Sequence, residues 1–64
     1  MAEKFKCPVC GALTVDEPGY YSLCEVCNWE DDPVQYMYPD RGGGANQMSL
    51  NQAREGYKRG EKVI

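Results

Sequence analysis

Two cysteine pairs, Cys7-Pro8-Val9-Cys10-Gly11 and Cys24-Glu25-Val26-Cys27-Asn28, limit what this chain can fold into more than any other feature. Each is a Cys-x-Val-Cys step followed by a residue that tolerates left-handed backbone, so two similar half-sites are implied. In such a step both sulfurs can reach one ion, while backbone N–H groups of the turn point at the sulfurs and offset their charge. Two steps supply four thiolates at ~2.3 Å per Zn–S bond in a closed tetrahedron, the pattern of a structural site, whereas a catalytic site keeps one position open. Cys7, Cys10, Cys24 and Cys27 are therefore the expected metal ligands. Zn²⁺ is the expected cofactor, as the common occupant of small four-thiolate sites, and iron is the alternative that the same sulfurs would suit.

Length makes such a staple necessary. A chain of 64 residues buries only about 60% of the surface it exposes when unfolded. At ~25 cal/mol/Å² its apolar burial contributes about 95 kcal/mol, and ordering its residues at ~1.5 kcal/mol each costs about as much. Metal binding worth an apparent ~10–16 kcal/mol would decide whether the chain folds. The same length is too short to enclose a multi-residue catalytic pocket, and there is no histidine to activate a nucleophile, so the chain is expected not to be an enzyme. No apolar run approaches the ~18 residues of a membrane span, and Met1–Lys6 lacks a charged region followed by an apolar stretch. A soluble, cytoplasmic protein is expected, whose cysteines meet a reducing milieu and serve as ligands, not disulfides. Seven Lys and Arg against ten Asp and Glu give a net charge of −3, the wrong sign for a nucleic-acid partner.

Local signals predict one domain over residues 1–64. Residues 4–38 are expected to form a hairpin and an extended segment, 39–48 a glycine-rich connector, and 49–60 a helix. Lys4–Lys6 and Ala12–Val15 are strand candidates, and Asp16-Glu17-Pro18-Gly19 is a type II turn signal with Pro18 and Gly19 at its centre. Tyr20–Leu23 is then the return strand, which places both cysteine pairs at the open end of one hairpin. Val34–Tyr38, stopped by Pro39, reads as a short extended segment. Arg41–Asn46 reads as a flexible or turn-forming connector, and its glycines lack the Lys-Ser/Thr that a phosphate loop requires. Ser49 with Gln52 is a capping-box spacing that opens a helix with a Leu50, Ala53, Tyr57 stripe and a stop at Gly60, although Gly56 weakens its interior.

Trp29 is expected to pack over the thiolates and shield them from water. Trp29-Glu30-Asp31-Asp32 reads as a solvated acidic turn, since no further oxygen-ligand pattern accompanies it. Most of the five tyrosines are needed as core, and Tyr36 to Tyr38 beside the acidic turn is the surface best suited to a protein partner.

Taken together, Cys7–Gly11, Leu13-Thr14, Asp16–Gly19, Cys24–Gln35, and Gly43–Asn46 running into Ser49–Arg54 resemble the bacterial cysteine-rich CPCC family over nearly the whole chain. Val9 stands where that family's extra cysteine would be, and the four remaining cysteines keep their spacing. The resemblance implies a small bacterial metal-binding protein and leaves its biochemical role open. The expected fold class is a small α+β domain: a metal-stapled, zinc-ribbon or rubredoxin-like β-hairpin with one C-terminal helix. The expected function is a zinc-stabilised module that engages another protein, the alternative being one-electron transfer through an Fe(Cys)₄ centre.

Overall fold

The computed structural model describes residues 3–64, so Met1 and Ala2, which fall within the expectations for the leaderless start and for the 1–64 domain, lie outside the described residues. Four elements follow in order: β1 (Phe5–Lys6), β2 (Leu13–Val15), α1 (Pro33–Met37) and α2 (Leu50–Lys58). β1 and β2 pair antiparallel, Phe5 opposite Val15 and Lys6 opposite Leu13, with a bulge between Phe5 and Lys6. Among the described residues no helix is long and apolar enough to cross a membrane.

The hairpin differs from the expected one. β2 pairs backward with β1 around the first cysteine step, not forward with Tyr20–Leu23. The stretch from Tyr21 to Cys24 folds instead onto Trp29–Asp31 around the second step, through Tyr21 N–H to Asp31 O (3.1 Å), Asp31 N–H to Ser22 O (2.9 Å) and Cys24 N–H to Trp29 O (2.8 Å), with a bridge between Leu23 and Glu30. Each cysteine pair therefore sits at the tip of its own small ribbon. The turn at Glu17–Tyr20 does form, with Gly19 at φ 79° and a 3.3 Å bond from Tyr20 N–H to Glu17 O, but it links the ribbons and does not close one. Tyr21 at φ 60° interrupts the extended run that an unbroken return strand would need.

The segment expected to be extended is corrected: residues 34–37 are helical and Tyr38 is the C-cap. Asp32 caps α1 by accepting from Val34 N–H (2.8 Å) and Gln35 N–H (3.4 Å), and Pro33 occupies the first helical position, where its missing N–H costs nothing. There are consequently two helices, not one. The acidic stretch is also not a solvated turn, because Asp31 and Asp32 are both buried. Asp31 Oδ2 accepts from Gly19 N–H (2.9 Å), whereas its Oδ1 has no hydrogen-bond partner.

α2 follows the sequence signals closely. Ser49 Oγ accepts from Gln52 N–H (3.1 Å), and Gln52 Oε1 accepts from Ser49 N–H (2.9 Å), which completes the capping box. At the other end Gly60 N–H bonds Tyr57 O and Glu61 N–H bonds Gly56 O, a Schellman closure with Gly60 at φ 77°. Its buried stripe is Leu50, Ala53 and Gly56, while Tyr57 is left 38% exposed. Gly56 is buried against Met48, whose Cε would lie 3.3 Å from an added Cβ, so this glycine is a packing residue.

The core joins Cys7, Cys24 and Cys27 with Val15, Trp29, Leu50, Ala53 and Val63 in one buried cluster. A second buried layer is polar. Gln35, fully buried, donates from Nε2 toward the carbonyls of Arg41, Asn46 and Met48 at 3.0 to 3.1 Å, and its Oε1 accepts from the backbone N–H and Nδ2 of Asn46. Asn46 in turn exchanges bonds with both backbone groups of Glu30, at 2.9 and 2.7 Å. The glycine-rich connector is thus wrapped around a side chain. A Cβ on Gly44 would meet Asp32 Oδ2 at 2.7 Å and Gln35 Cδ at 3.0 Å, so only glycine lets the backbone approach so closely.

Candidate metal centre

Each half-site is built by the same local geometry. The Cys7 carbonyl accepts from Gly11 N–H at 2.9 Å and the Cys24 carbonyl from Asn28 N–H at 2.8 Å, closing one tight turn over each pair. The chain then leaves through left-handed residues, Gly11 at φ 79° and Asn28 at φ 72°, the two positions at which the sequence anticipated such backbone. Cys7 N–H to Ala12 O (2.8 Å) and Cys24 N–H to Trp29 O (2.8 Å) zip the turns into their ribbons. The first cysteine of each turn faces equivalent amides: those of Val9 and Cys10 for Cys7, and those of Val26 and Cys27 for Cys24.

The two turns bring all four sulfurs together, each within 4.8 Å of the others. Cys7 Sγ lies 3.5 Å from Cys27 Sγ, and Cys10 Sγ lies 3.6 Å from Cys24 Sγ. A disulfide requires about 2.05 Å, and all four cysteines are free. An M–S distance of ~2.3 Å in a regular tetrahedron sets the edges at about 3.8 Å, so these two contacts fall slightly inside the edge length of a four-thiolate cage. The donor set fits a thiophilic cation. Cys7, Cys24 and Cys27 are buried and Cys10 is half-buried, and Trp29 is fully buried in the same cluster, as expected of a shield.

Electrostatics within the cluster are uneven. Burial pushes the Cys7 thiol up, against the pull of the Cys10 and Val9 amides. Burial likewise raises Cys27, where the Trp29 amide is outweighed and the neighbouring Cys7 and Cys24 sulfurs add to the rise. Cys24 goes the other way. Burial opposes its ionisation, but the Thr14 hydroxyl together with the Cys27 and Val26 amides brings it down to about 6. Four sulfurs this close cannot all carry charge without a cation among them, and a cation entering the cluster must displace the remaining protons.

Two contributors escaped the sequence reading. Thr14 Oγ1 lies 3.0 Å from Cys24 Sγ, a contact that crosses from the first ribbon to the second half-site. Arg54 Nε donates to the Pro8 carbonyl at 2.7 Å, tying α2 to the first cysteine turn. Neither is legible in the sequence, because Thr14 reads only as part of a β-prone segment and Arg54 lies off the Leu50, Ala53, Tyr57 stripe. No curated protein is similar to this chain at a significant level. The family model described as Cysteine-rich CPCC matches residues 5–60, which takes in both cysteine turns, the polar layer and α2. With the four-sulfur cluster and its two matching turns in place, the chain belongs to the cysteine-rich CPCC family.

Proposed function

We propose that this protein is a non-enzymatic module of zinc-ribbon type, in which Cys7, Cys10, Cys24 and Cys27 hold one Zn²⁺ and the exposed aromatic face engages another protein. The observation that carries the metal reading is the four-sulfur cluster, with sulfur pairs at 3.5 and 3.6 Å. With every corner of a tetrahedron taken by sulfur, no coordination position is left for a substrate, and the ion serves as core. Support for the partner surface comes from α1 and its C-cap, where Tyr36, Met37 and Tyr38 are all well exposed, Met37 to 75%. Tyr36 and Met37 also border a groove of about 470 Å³ shared with Phe5, Pro8, Pro18 and Pro33. Exposed aromatics and methionine on a small domain are the composition of contact surfaces. Asp31 lines the same groove although it is largely buried, whereas Asp32 is buried and is not among the groove's lining residues.

Elemental analysis of protein purified without added metal tests the first half. Stoichiometric zinc and no colour support it. The second reading is one-electron transfer through an Fe(Cys)₄ centre, favoured by the hydroxyl and amide donors facing the sulfurs, since such bonds set the potential of iron–thiolate sites. Red protein whose absorption is bleached by dithionite would replace the zinc reading with this one. The partner surface is tested by native pull-down with wild type against Tyr36→Ser/Met37→Ser. Loss of a specific protein from the variant, with an unchanged amide spectrum outside α1, is expected; recovery of no specific protein by wild type across varied conditions would count against it.

A further inference from the structure

Thr14 Oγ1 is 3.0 Å from Cys24 Sγ and 3.5 Å from the Ala12 carbonyl oxygen. A threonine hydroxyl has a single proton to give. Sulfur is larger than oxygen, so equal bonds would place the sulfur farther away, yet here it is the nearer atom by half an ångström. The proton goes to Cys24. The amides that face Cys7 and Cys24 come from equivalent positions inside each turn and are common to both half-sites. Thr14 has no such counterpart: it stands on β2, in the first ribbon, and reaches the first cysteine of the second.

We infer that Thr14 is a positioning residue for the metal centre, whose hydroxyl draws charge from the Cys24 sulfur and thereby sets how tightly the cluster holds a thiophilic cation. This rests on the four sulfurs holding an ion. A hydrogen bond to a thiolate spreads its charge onto the donor and fixes the direction of its lone pairs. Because the bond spans the two half-sites, it also keeps the second sulfur pair in register with the first before any ion arrives. With iron in the site, loss of the bond would leave the sulfurs richer in charge and move the reduction potential to more negative values.

Cobalt(II) binding separates this inference from the reading beneath it. Wild type, Thr14→Val and Thr14→Ser are titrated with cobalt and then with zinc in competition. Valine keeps the shape of threonine and removes the proton; serine keeps the proton. One hydrogen bond to a charged group corresponds to an affinity loss of about ten- to a hundredfold, expected for Thr14→Val and not for Thr14→Ser. The sulfur-to-cobalt charge-transfer band of Thr14→Val is expected to shift to lower energy, a change that loosened packing would not produce. Wild type failing to give a four-sulfur cobalt spectrum would overturn the metal reading itself. A wild type that binds, beside a Thr14→Val of equal affinity or of unshifted spectrum, would overturn the role of Thr14 alone. If Thr14→Val does not fold, Thr14→Ala decides, a charge-transfer band shifted to lower energy supporting the inference and an unshifted one refuting it.

Discussion

The molecule is held at two ends by opposite chemistries. At one, four sulfurs from two short turns meet inside an apolar cluster with Trp29, Val15 and Leu50. At the other, Asp32, Gln35 and Asn46 form a buried hydrogen-bonded layer whose partners are mostly backbone groups of the connector. The sulfur end is assembled from a repeated local unit, and its four sulfurs could close on a cation that the chain does not itself provide. The polar end has no repeat and needs nothing external, because each donor already has an acceptor within the chain. A small domain with too little apolar surface can be stabilised either by an ion or by a side chain that substitutes for secondary structure, and this one carries the groups for both.

The comparison breaks most sharply at the sulfur end. Changing any one of Cys7, Cys10, Cys24 or Cys27 to Ser is expected to remove metal and most of the fold, forfeiting much of a binding term of ~10–16 kcal/mol; amide dispersion and metal content would show it. A variant that stays folded and loaded would place its cysteine outside the ligand set. Treatment with a strong chelator should reproduce the same collapse in wild type, whereas an unchanged spectrum after complete metal removal would make the polar end sufficient alone.

At the polar end the expected effects are smaller and leave metal bound. Gln35→Leu strands the Asn46 amide and several carbonyls, at about 1–3 kcal/mol for each buried group left unpaired, and denaturant unfolding of the loaded protein would report roughly 3–5 kcal/mol in all. Gly44→Ala drives a methyl into Asp32 and Gln35 and should cost about 1–3 kcal/mol in the same assay. Ser49→Ala, which removes half of the capping box, should cost about 1 kcal/mol. An unaltered midpoint in Gln35→Leu would mean the polar layer is ornament.

The subtlest test is the titration of Asp32. Burial opposes its charge, but the Ala45, Val34 and Gln35 amides and the charge of Arg41 outweigh that and hold its carboxyl below the ordinary value near 3.8. Its folded value is depressed, so the stability it contributes is fully present above the unfolded value and is lost as pH falls through the lower folded one. Carboxyl carbon shifts in the loaded protein should show Asp32 still mostly ionised at the ordinary aspartate value of 3.8. A midpoint at or above that value would contradict the hydrogen bonds assigned to it.

These two ends were not equally readable from the sequence. The sulfur positions, their left-handed exits at Gly11 and Asn28, and the Ser49–Gln52 cap could be read because each depends on neighbours within a few residues. The pairing of the ribbons was misjudged at Tyr20–Leu23, because alternation of residue type marks a strand without saying which side of it supplies the partner. α1 was missed because Asp32-Pro33 serves equally as a turn and as a cap, and the choice falls to Ala45, whose N–H donates to Asp32 Oδ2 at 3.0 Å. Gln35 gave no signal: a glutamine next to tyrosines reads as surface, and only the folded connector reveals the carbonyls that surround it.

The bond from Arg54 to the Pro8 carbonyl joins residues 46 positions apart, and it has a consequence for biosynthesis. When Cys27 leaves the ribosome all four sulfurs are outside it, while the segment that carries Leu50, Ala53 and Arg54 is still held in the exit tunnel. A nascent chain therefore owns its complete cage before it owns the roof, and whatever enters the cage first does so in full view of the surrounding water and competing thiols.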